Sequence, residues 1–290
     1  MRHSESLYFD VRRLRYHVRH WPGDADRRIV LLHGWMDVSA SFQFLVDAMS
    51  LHWDVFSPDW RGYGETDWGQ SDCYWFPDYL GDLDALLERI QPEHPVNLVG
   101  HSLGGNVATL YAGVRPGRVS KLVNLEGFGM SATQPGQAPS RYARWLQELH
   151  APPRLRSYPD FAALADRLQK NNARLTRERA EFLARHWGRE VDGRVYLRGD
   201  PAHKIVNPIL YRYEEARAIW RQVSAPVLWV DASESEALKR IGIGAEQYAE
   251  RRAAIPNMRH VTIPDAGHML HHDQPETLAA RIEEFLLDRA

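Results

Sequence analysis

A serine set between glycines is the strongest chemical candidate in this sequence. Residues 100–104 read Gly-His-Ser-Leu-Gly, with an apolar, strand-forming run at 96–99 before them and a helix-forming run at 106–112 after them. A sharp turn from strand into helix leaves no room for side chains two residues before and two residues after the serine. Such a turn lifts the hydroxyl over the end of the strand and points the free N–H groups of the helix at a negative charge. The pattern therefore predicts that Ser102 is a nucleophile, rather than only the cap of a helix.

A serine hydroxyl attacks a carbonyl at neutral pH only when a base takes its proton. His268 is the candidate base, because it ends the loop 264–268 (Pro-Asp-Ala-Gly-His) that follows the last predicted strand. That loop opens at the carboxyl edge of the sheet, where we expect Ser102. His271 and His272 lie close by in sequence, but no cysteine, histidine or aspartate pairing elsewhere supports a metal cluster. We therefore predict no metal site.

The carboxylate that orients the base has several candidates. Glu234 is the first choice, because it lies a few residues beyond the penultimate predicted strand and can reach under the histidine. Glu126 is its rival, because it directly follows the strand before that one. Asp231 and Glu236 flank the first choice and are weaker candidates. All four candidates lie between Ser102 and His268 in the sequence, so each gives the chain order serine, acid, histidine.

Two backbone N–H groups are expected to bind the oxyanion of an acyl-transfer reaction. One belongs to Leu103, directly after the nucleophile, and the other to Trp35, in the loop after the predicted strand at 28–32. We also assign His33, Gly34 and His101, the neighbours of these positions, to substrate binding.

Strands and helices alternate over most of the chain, which predicts an α/β fold with a mostly parallel sheet covered by helices on both faces. An edge-strand pair is predicted within residues 7–21. The remaining strands are predicted at 28–32, 53–57, 96–100, 121–125, 227–230 and 260–263. Helices are predicted within residues 42–49, at 77–90, at 106–112 and at 275–288.

The alternation breaks between residues 130 and 222. This stretch holds arginine-rich and aromatic-rich helical segments separated by prolines, with a possible short strand at 195–197. We predict a helical cap at 130–222, inserted into a core domain formed by 1–129 and 223–290. Aromatic residues of the cap are expected to line the substrate entrance, and the candidates are Trp145, Trp187, Tyr211 and Trp220.

Composition excludes several classes of protein. The 290 residues carry a formal net charge of −2, which gives no electrostatic basis for binding nucleic acid or an acidic membrane surface. The single cysteine, Cys73, excludes an intramolecular disulfide and favours a reducing compartment. The first ten residues lack the apolar core of a signal peptide, and no run approaches the ~20 apolar residues of a membrane span. We expect a cytoplasmic protein whose partner is a small-molecule substrate.

These motifs together resemble those of the α/β-hydrolase superfamily, and more narrowly its serine-hydrolase-like members. The matching pieces are His33-Gly34-Trp35, Asp59-x-Arg61-Gly62-x-Gly64-x-Thr66, Gly100-x-Ser102-x-Gly104-Gly105, and Gly267-His268 followed by Gln274-Pro275-Glu276. The resemblance implies an α/β-hydrolase fold with a mostly helical cap and a serine hydrolase that needs no cofactor.

Two departures from the wider superfamily bear on function. Epoxide hydrolases and haloalkane dehalogenases use aspartate at the elbow, so Ser102 argues against both activities. The family often has Gly and Asp in the acid loop, where this chain has Ala232 and Glu234. Some dehalogenases place their acid after the earlier strand, which favours the rival, Glu126.

The residues predict a serine hydrolase that cleaves a small or medium apolar ester through an acyl-enzyme. The same serine and histidine also suit a carbon–carbon bond hydrolase, a thioesterase or an acyltransferase. A ligand-binding protein with little turnover is the alternative from another class, since a fold does not fix a function.

Overall fold

The computed structural model describes residues 1–70 and 72–288, which form an eight-stranded and a three-stranded sheet with helices packed around them. In chain order the strands are β1 (Glu5–Val11), β2 (Leu14–Trp21), β3 (Asp24–Leu32), β4 (Trp53–Pro58), β5 (Val96–His101), β6 (Val119–Leu125), β7 (Ser157–Tyr158), β8 (Gly188–Val191), β9 (Arg194–Leu197), β10 (Val227–Ala232) and β11 (Met258–Ile263).

The α-helices of the described residues are α1 (Gln43–Ala48), α2 (Phe76–Ile90), α3 (Leu103–Val114), α4 (Ala138–His150), α5 (Phe161–Asn171), α6 (Arg177–Trp187), α7 (Tyr213–Trp220), α8 (Ala237–Arg240), α9 (Ala245–Ala253), α10 (Leu270–Asp273) and α11 (Pro275–Leu287). None of them is long and apolar enough to cross a membrane.

The larger sheet has the strand order β1-β2-β4-β3-β5-β6-β10-β11. Strands β4, β3, β5, β6, β10 and β11 pair in parallel, while β1 and β2 join antiparallel at one edge. Parallel strands covered on both faces are apolar along their whole length, and β4 is indeed buried at every residue. The predicted α/β-hydrolase fold is confirmed, and the carboxyl ends of β3, β5, β6 and β11 meet at one edge.

Helices cover both faces of this sheet. On one face, α2 buries the stripe predicted from its sequence, including Leu83 and Leu87, in the same apolar cluster as Val107 of α3. On the other face, Leu45 of α1 and Ile282 of α11 belong to a second cluster with the strands. Burying a single leucine or isoleucine side chain stabilises the fold by about 1.5–3 kcal/mol, so these two layers hold the sheet edge in place.

The chain between β6 and β10 has a different architecture. It contains α4 to α7 together with the small sheet β7-β9-β8, in which the possible strand at 195–197 becomes β9. Strands β7 and β8, and α9 between β10 and β11, are absent from the sequence-based prediction. A third apolar cluster joins α5, α6 and β9 to Phe44 of α1. The cap boundaries at 130 and 222 stay a prediction, and the core domain assigned to 1–129 and 223–290 includes residues 71, 289 and 290, which lie outside the described residues.

Candidate active site

The turn between β5 and α3 holds Ser102 in a backbone conformation that non-glycine residues rarely adopt. Its φ is +51° and its ψ is −111°. A Cβ on Gly100 would lie 2.4 Å from the carbonyl oxygen of Gly104, and a Cβ on Gly104 would lie 2.0 Å from the carbonyl oxygen of Leu32. Only glycine fits at both positions, so the tight turn expected from the sequence is present and strained.

One histidine connects this serine to a carboxylate. His268 Nε2 lies 3.2 Å from Ser102 Oγ, and His268 Nδ1 lies 2.9 Å from Glu126 Oε2. An ionised carboxylate only accepts hydrogen bonds, so Nδ1–H donates to Glu126 and the lone pair of Nε2 faces the serine hydroxyl. The side chain of His268 is 28% exposed and that of Glu126 is 1% exposed, so the imidazole opens to the solvent side while its partner is buried.

Glu126 reaches the histidine through a turn of its own. It directly follows β6 and adopts a φ of +56°, the left-handed region. Its Oε1 accepts a hydrogen bond from Ala232 N at 2.8 Å, and its Oε2 accepts one from the hydroxyl of Ser235 in addition to His268. Three donors therefore compensate for the burial of this carboxylate.

The prediction that Glu234 orients His268 is wrong. The loop after β10 turns so that Ser235 faces Glu126, and the carboxylate of Glu234 points the other way, to the guanidinium of Arg174. The Glu234 side chain is 51% exposed in this ion pair. It is therefore a solvated loop carboxylate, and the rival of the sequence analysis occupies the position beside the histidine.

The two weaker acid candidates also lie elsewhere. Asp231 Oδ2 lies 2.7 Å from His260 Nε2 and accepts a hydrogen bond from the hydroxyl of Tyr248. Glu236 forms an exposed ion pair with Lys239 at 3.3 Å. Neither side chain hydrogen-bonds to Ser102, His268 or Glu126, because Asp231 is still within β10 and Glu236 lies at the exposed N-cap of α8.

The two amides assigned to the oxyanion hole lie where the fold makes such donors free. Leu103 is the first residue of α3, and the first N–H groups of a helix have no partner within the helix. Trp35 follows the end of β3 by three residues. Within residues 1–70 and 72–288, neither Leu103 N nor Trp35 N donates a hydrogen bond. Both remain predicted donors to an oxyanion.

Substrate contact by His33 and Gly34 stays a prediction, and the structure shows both residues buried beside the serine. The His33 ring is fully buried, donates from Nδ1 to the carbonyl of Gly34 at 2.8 Å, and accepts the N–H of Trp60 on Nε2 at 2.9 Å. Burial lowers its pKa, in keeping with a neutral ring. Gly34 is buried too, and a Cβ there would lie 3.4 Å from the Cβ of Ser102. The contacts of His33 tie the loop after β3 to Trp60 in the loop after β4.

Substrate contact by His101 stays a prediction as well. It is 1% exposed and lies behind the serine, where its Nε2–H donates to the backbone carbonyl of His268 at 2.8 Å. Burial, helped by the nearby His271 and His268, holds its pKa well below the ordinary value. A neutral His101 with its proton on Nε2 therefore holds the loop of His268, and its side chain does not line the cavity beside Ser102.

The structure brings together a group that the sequence analysis did not pair. Asp37, His101 and His271 are buried, and one ligand atom from each lies within 4.8 Å of the others. Tetrahedral zinc with bonds of about 2.0–2.1 Å needs its ligand atoms only about 3.4 Å apart. His271 Nε2 is also within 3.2 Å of the hydroxyl of Ser41, which already gives that nitrogen a hydrogen-bond partner. The group therefore has the donors of a metal site in an arrangement looser than zinc requires.

The loop after β4 carries the aspartate and arginine of the resemblance, and both serve the fold. Asp59 accepts hydrogen bonds from the N–H groups of Ser39 at 2.6 Å and Glu65 at 2.9 Å. The buried guanidinium of Arg61 donates to Asp82 of α2 at 2.6 Å. These contacts tie the loop to the neighbouring segments, and neither side chain lines the cavity described next.

A cavity of about 470 Å³ opens beside Ser102 and Leu103. Aromatic residues are the largest group in its wall, and they are Trp35, Tyr74, Trp75, Phe76, Tyr79 and Tyr211. Of the four aromatic residues expected from the cap, only Tyr211 lines it. Trp220 is instead buried in the apolar core, and Trp145 and Trp187 lie outside this cavity.

Most of the aromatic wall comes from residues 74–79, which the sequence analysis did not assign to the site. The signal was present, since four of these six residues are aromatic, directly before and within the first turns of α2. Ser235, which donates to the acid, has no comparable signal. His203 also lines the cavity, and burial lowers its pKa to about 3, so this ring is neutral.

Comparison with known proteins agrees with this architecture. The sequence model of the family described as "alpha/beta hydrolase fold" matches residues 27–275. The chain is 25% identical over 274 residues to the serine hydrolase-like protein of Danio rerio, covering 92% of this chain and 83% of the relative. It is 27% identical over 286 residues to the 3-hydroxybutyrate-oligomer hydrolase of Cupriavidus necator, covering 93% and 91%. The thioesterase domain from the curacin biosynthetic pathway superposes with a TM-score of 0.86 at 21% identity, covering 97% of this chain and 99% of that domain.

Proposed function

The chain belongs to the α/β-hydrolase family, and from that premise we propose that it is a serine hydrolase that cleaves small or medium carboxylic esters. The proposal rests on one observation, the position of His268 between Ser102 Oγ at 3.2 Å and Glu126 Oε2 at 2.9 Å. Nucleophile, base and acid are then Ser102, His268 and Glu126.

Acylation follows from this geometry. Ser102 Oγ attacks the ester carbonyl while His268 Nε2 takes its proton, and the imidazolium that forms is stabilised by the carboxylate of Glu126. The carbonyl oxygen becomes an anion and is bound by the N–H groups of Leu103 and Trp35. A single such donor typically contributes about 3 kcal/mol of transition-state stabilisation. The tetrahedral intermediate collapses when His268 returns the proton to the leaving alkoxide, which leaves an acyl-enzyme and an alcohol.

Deacylation repeats these steps with water as the nucleophile. His268 Nε2 takes a proton from water, the hydroxide attacks the acyl carbonyl, and the same two N–H groups bind the new oxyanion. The proton then returns to Ser102 Oγ as the carboxylic acid leaves. His101 acts as a positioning residue in both halves, because its hydrogen bond to the His268 carbonyl fixes the loop of the base.

The size and lining of the cavity support the proposed substrate class, a carboxylic ester of small or medium length. A volume of about 470 Å³ lies at the smaller end of ligand pockets, and the aromatic wall favours an apolar acyl or alkyl group. The Cupriavidus necator relative carries the name of a hydrolase, and the Danio rerio relative is named as serine hydrolase-like. These names agree with the class of reaction proposed.

The proposal is tested with p-nitrophenyl esters of increasing acyl length and with a fluorophosphonate probe. Wild type should hydrolyse the short and medium esters, and mass spectrometry should find the phosphonyl group on Ser102. Ser102→Ala should lose at least about 10³-fold in kcat and should not be labelled. Ser120→Ala, an exposed serine of β6, is the matched control and should keep both properties.

Two results would contradict the proposal. A folded wild-type protein in which Ser102 is never labelled would favour the ligand-binding alternative. Labelling of Ser102 without hydrolysis of any ester, accompanied by cleavage of matched acyl thioesters, would keep the serine mechanism and reject the ester assignment.

A further inference from the structure

The cavity beside Ser102 contains one formally charged side chain. The rest of its wall is aromatic, aliphatic or uncharged, and His203, which burial keeps neutral, adds no charge. The exception is Arg141, in the first turns of α4. A permanent cation in an otherwise uncharged wall weakens the binding of a purely apolar ligand, because the guanidinium must keep its water or lose it without compensation.

Arg141 has no anionic partner in the part of the chain that the structure describes. Within residues 1–70 and 72–288, no Asp or Glu carboxylate lies within 4.0 Å of its guanidinium. One helical turn further along, Arg144 pairs with Glu148 at 2.7 Å. Glu148 therefore neutralises the exposed Arg144, whereas the charge of Arg141 in the cavity wall stays available to a ligand.

The position of this guanidinium is fixed by a separate segment of the chain that also lines the cavity. Arg141 Nε donates to the backbone carbonyl of Asn207 at 2.7 Å. Asn207 in turn donates from Nδ2 to the carbonyl of Tyr74 at 3.2 Å. This chain of contacts occupies Nε and leaves the two terminal nitrogens, whose N–H groups form the planar fork that matches the two oxygens of a carboxylate.

We propose that Arg141 is a specificity-determining residue that binds a carboxylate at the end of the substrate remote from the scissile bond. The preferred substrates are then esters with an apolar segment that ends in a carboxylate, such as half-esters of dicarboxylic acids. The proposal rests on the proposed function, because it assigns the substrate class of the same site. A substrate carboxylate supplies the counter-ion that the chain lacks, and the apolar segment fills the aromatic part of the cavity.

Two esters of equal length test the proposal. Mono-p-nitrophenyl adipate ends in a carboxylate and p-nitrophenyl hexanoate ends in a methyl group. Wild type should prefer the adipate ester by at least about tenfold in kcat/KM. Arg141→Met should lower this preference by about 10- to 100-fold, the range for a charge-assisted hydrogen-bonded pair. Arg141→Lys should restore part of it, because a lysine keeps the charge without the fork.

The control variant is Arg144→Met, on the same helix, which should leave the preference between the two esters unchanged. A wild type that favours the hexanoate ester, or an Arg141→Met variant that changes kcat/KM of both esters equally, would overturn the proposal. In either case labelling of Ser102 by the fluorophosphonate would show that the serine-hydrolase function still stands.

A binding measurement separates the two proposals further. In the Ser102→Ala variant, monomethyl adipate should quench the fluorescence of Trp35 and Trp75, which line the cavity, at lower concentration than methyl hexanoate. Adding Arg141→Met should abolish this difference. Equal binding of both esters to Ser102→Ala would overturn the assignment of Arg141, whether or not the wild type hydrolyses any ester.

Discussion

Exchanging Glu126 for glutamine tests the assignment of the acid, because the amide keeps the shape of the carboxylate and changes one oxygen into a donor. Oε1 of Glu126 accepts the N–H of Ala232, and Oε2 accepts both His268 Nδ1–H and the hydroxyl of Ser235. In Glu126→Gln the carbonyl oxygen of the amide can keep the bond to Ala232. Its NH₂ group then faces His268 Nδ1, which must give up its proton to accept a hydrogen bond.

The magnitude follows from this change of tautomer. With its proton moved to Nε2, His268 presents a donor to Ser102 Oγ and no lone pair, so it can no longer act as the base. Loss of the carboxylate also removes the charge that stabilises the imidazolium. The equivalent change in Ser-His-Asp enzymes lowers kcat by about 10⁴-fold, or about 5.5 kcal/mol in the barrier. We expect a similar loss here, with a cost in folding stability of about 1–3 kcal/mol from the altered buried hydrogen bonds.

The assay is the initial rate on a p-nitrophenyl ester of medium length, with circular dichroism to verify folding. Glu234→Gln is the matched control, because it makes the same chemical change in an exposed ion pair with Arg174. Such pairs contribute about 0–1 kcal/mol to stability, and kcat should stay within about twofold of wild type. Near-normal turnover in Glu126→Gln, or a large loss in Glu234→Gln, would refute the assignment drawn from the hydrogen bonds of His268.

Three further outcomes are expected. Gly104→Ala should destabilise the fold by about 1–3 kcal/mol and reduce kcat, since its Cβ would lie 2.0 Å from the Leu32 carbonyl oxygen. Urea unfolding and initial rates measure the two effects, and an unchanged stability and kcat would contradict this expectation. Burial lowers the pKa of His203 to about 3, so the unfolded chain binds a proton below about pH 6.5 that the folded chain does not, and stability should fall from there toward pH 3 by up to about 1.4 kcal/mol per pH unit. Urea midpoints at pH 7, 6 and 5 should fall less steeply in His203→Phe than in wild type, and parallel curves would contradict this. Dialysis against EDTA should leave kcat unchanged, because no step of the proposed mechanism uses a metal, whereas a loss reversed by zinc would implicate the group around His271.

The sequence predicts the framework well because burial on both faces leaves a local signature. Short, mainly apolar runs, such as residues 28–32 and 96–99, indicate central parallel strands when helical stripes separate them. The glycines around Ser102 are recognised from their spacing alone, although the carbonyl oxygen that excludes a Cβ at Gly104 belongs to Leu32 of the neighbouring strand β3. The helix α9 was missed because it is short and buries little, with Arg251 as its one fully buried residue.

The wall of the cavity depends on how separate segments dock, and periodicity carries no information about that. Trp220 and Tyr211 lie in the same stretch of chain, yet the first packs against the sheet in the apolar core and the second faces the cavity. Phe76 and Tyr74 were overlooked for the same reason, since an aromatic residue at the start of a helix is typical of core packing. Arg141 is the one charged residue in the cavity wall. Its lack of an acidic partner is a property of the folded chain and cannot be read from the sequence.

The choice between Glu126 and Glu234 is the clearest case in which local sequence patterns fail to identify a site residue. Strands β6 and β10 are neighbours in the sheet, so the residues after both strands reach the same edge. Distance beyond the strand favoured Glu234, but the loop after β10 directs Ser235 to Glu126 and Glu234 to Arg174. What selects Glu126 is a left-handed φ at the residue itself, together with donors from Ala232 and Ser235 on the neighbouring segment. The two donors come from the segment after the neighbouring strand, so Glu126 and Glu234, which the sequence does not separate, acquire different surroundings only when β6 and β10 pair.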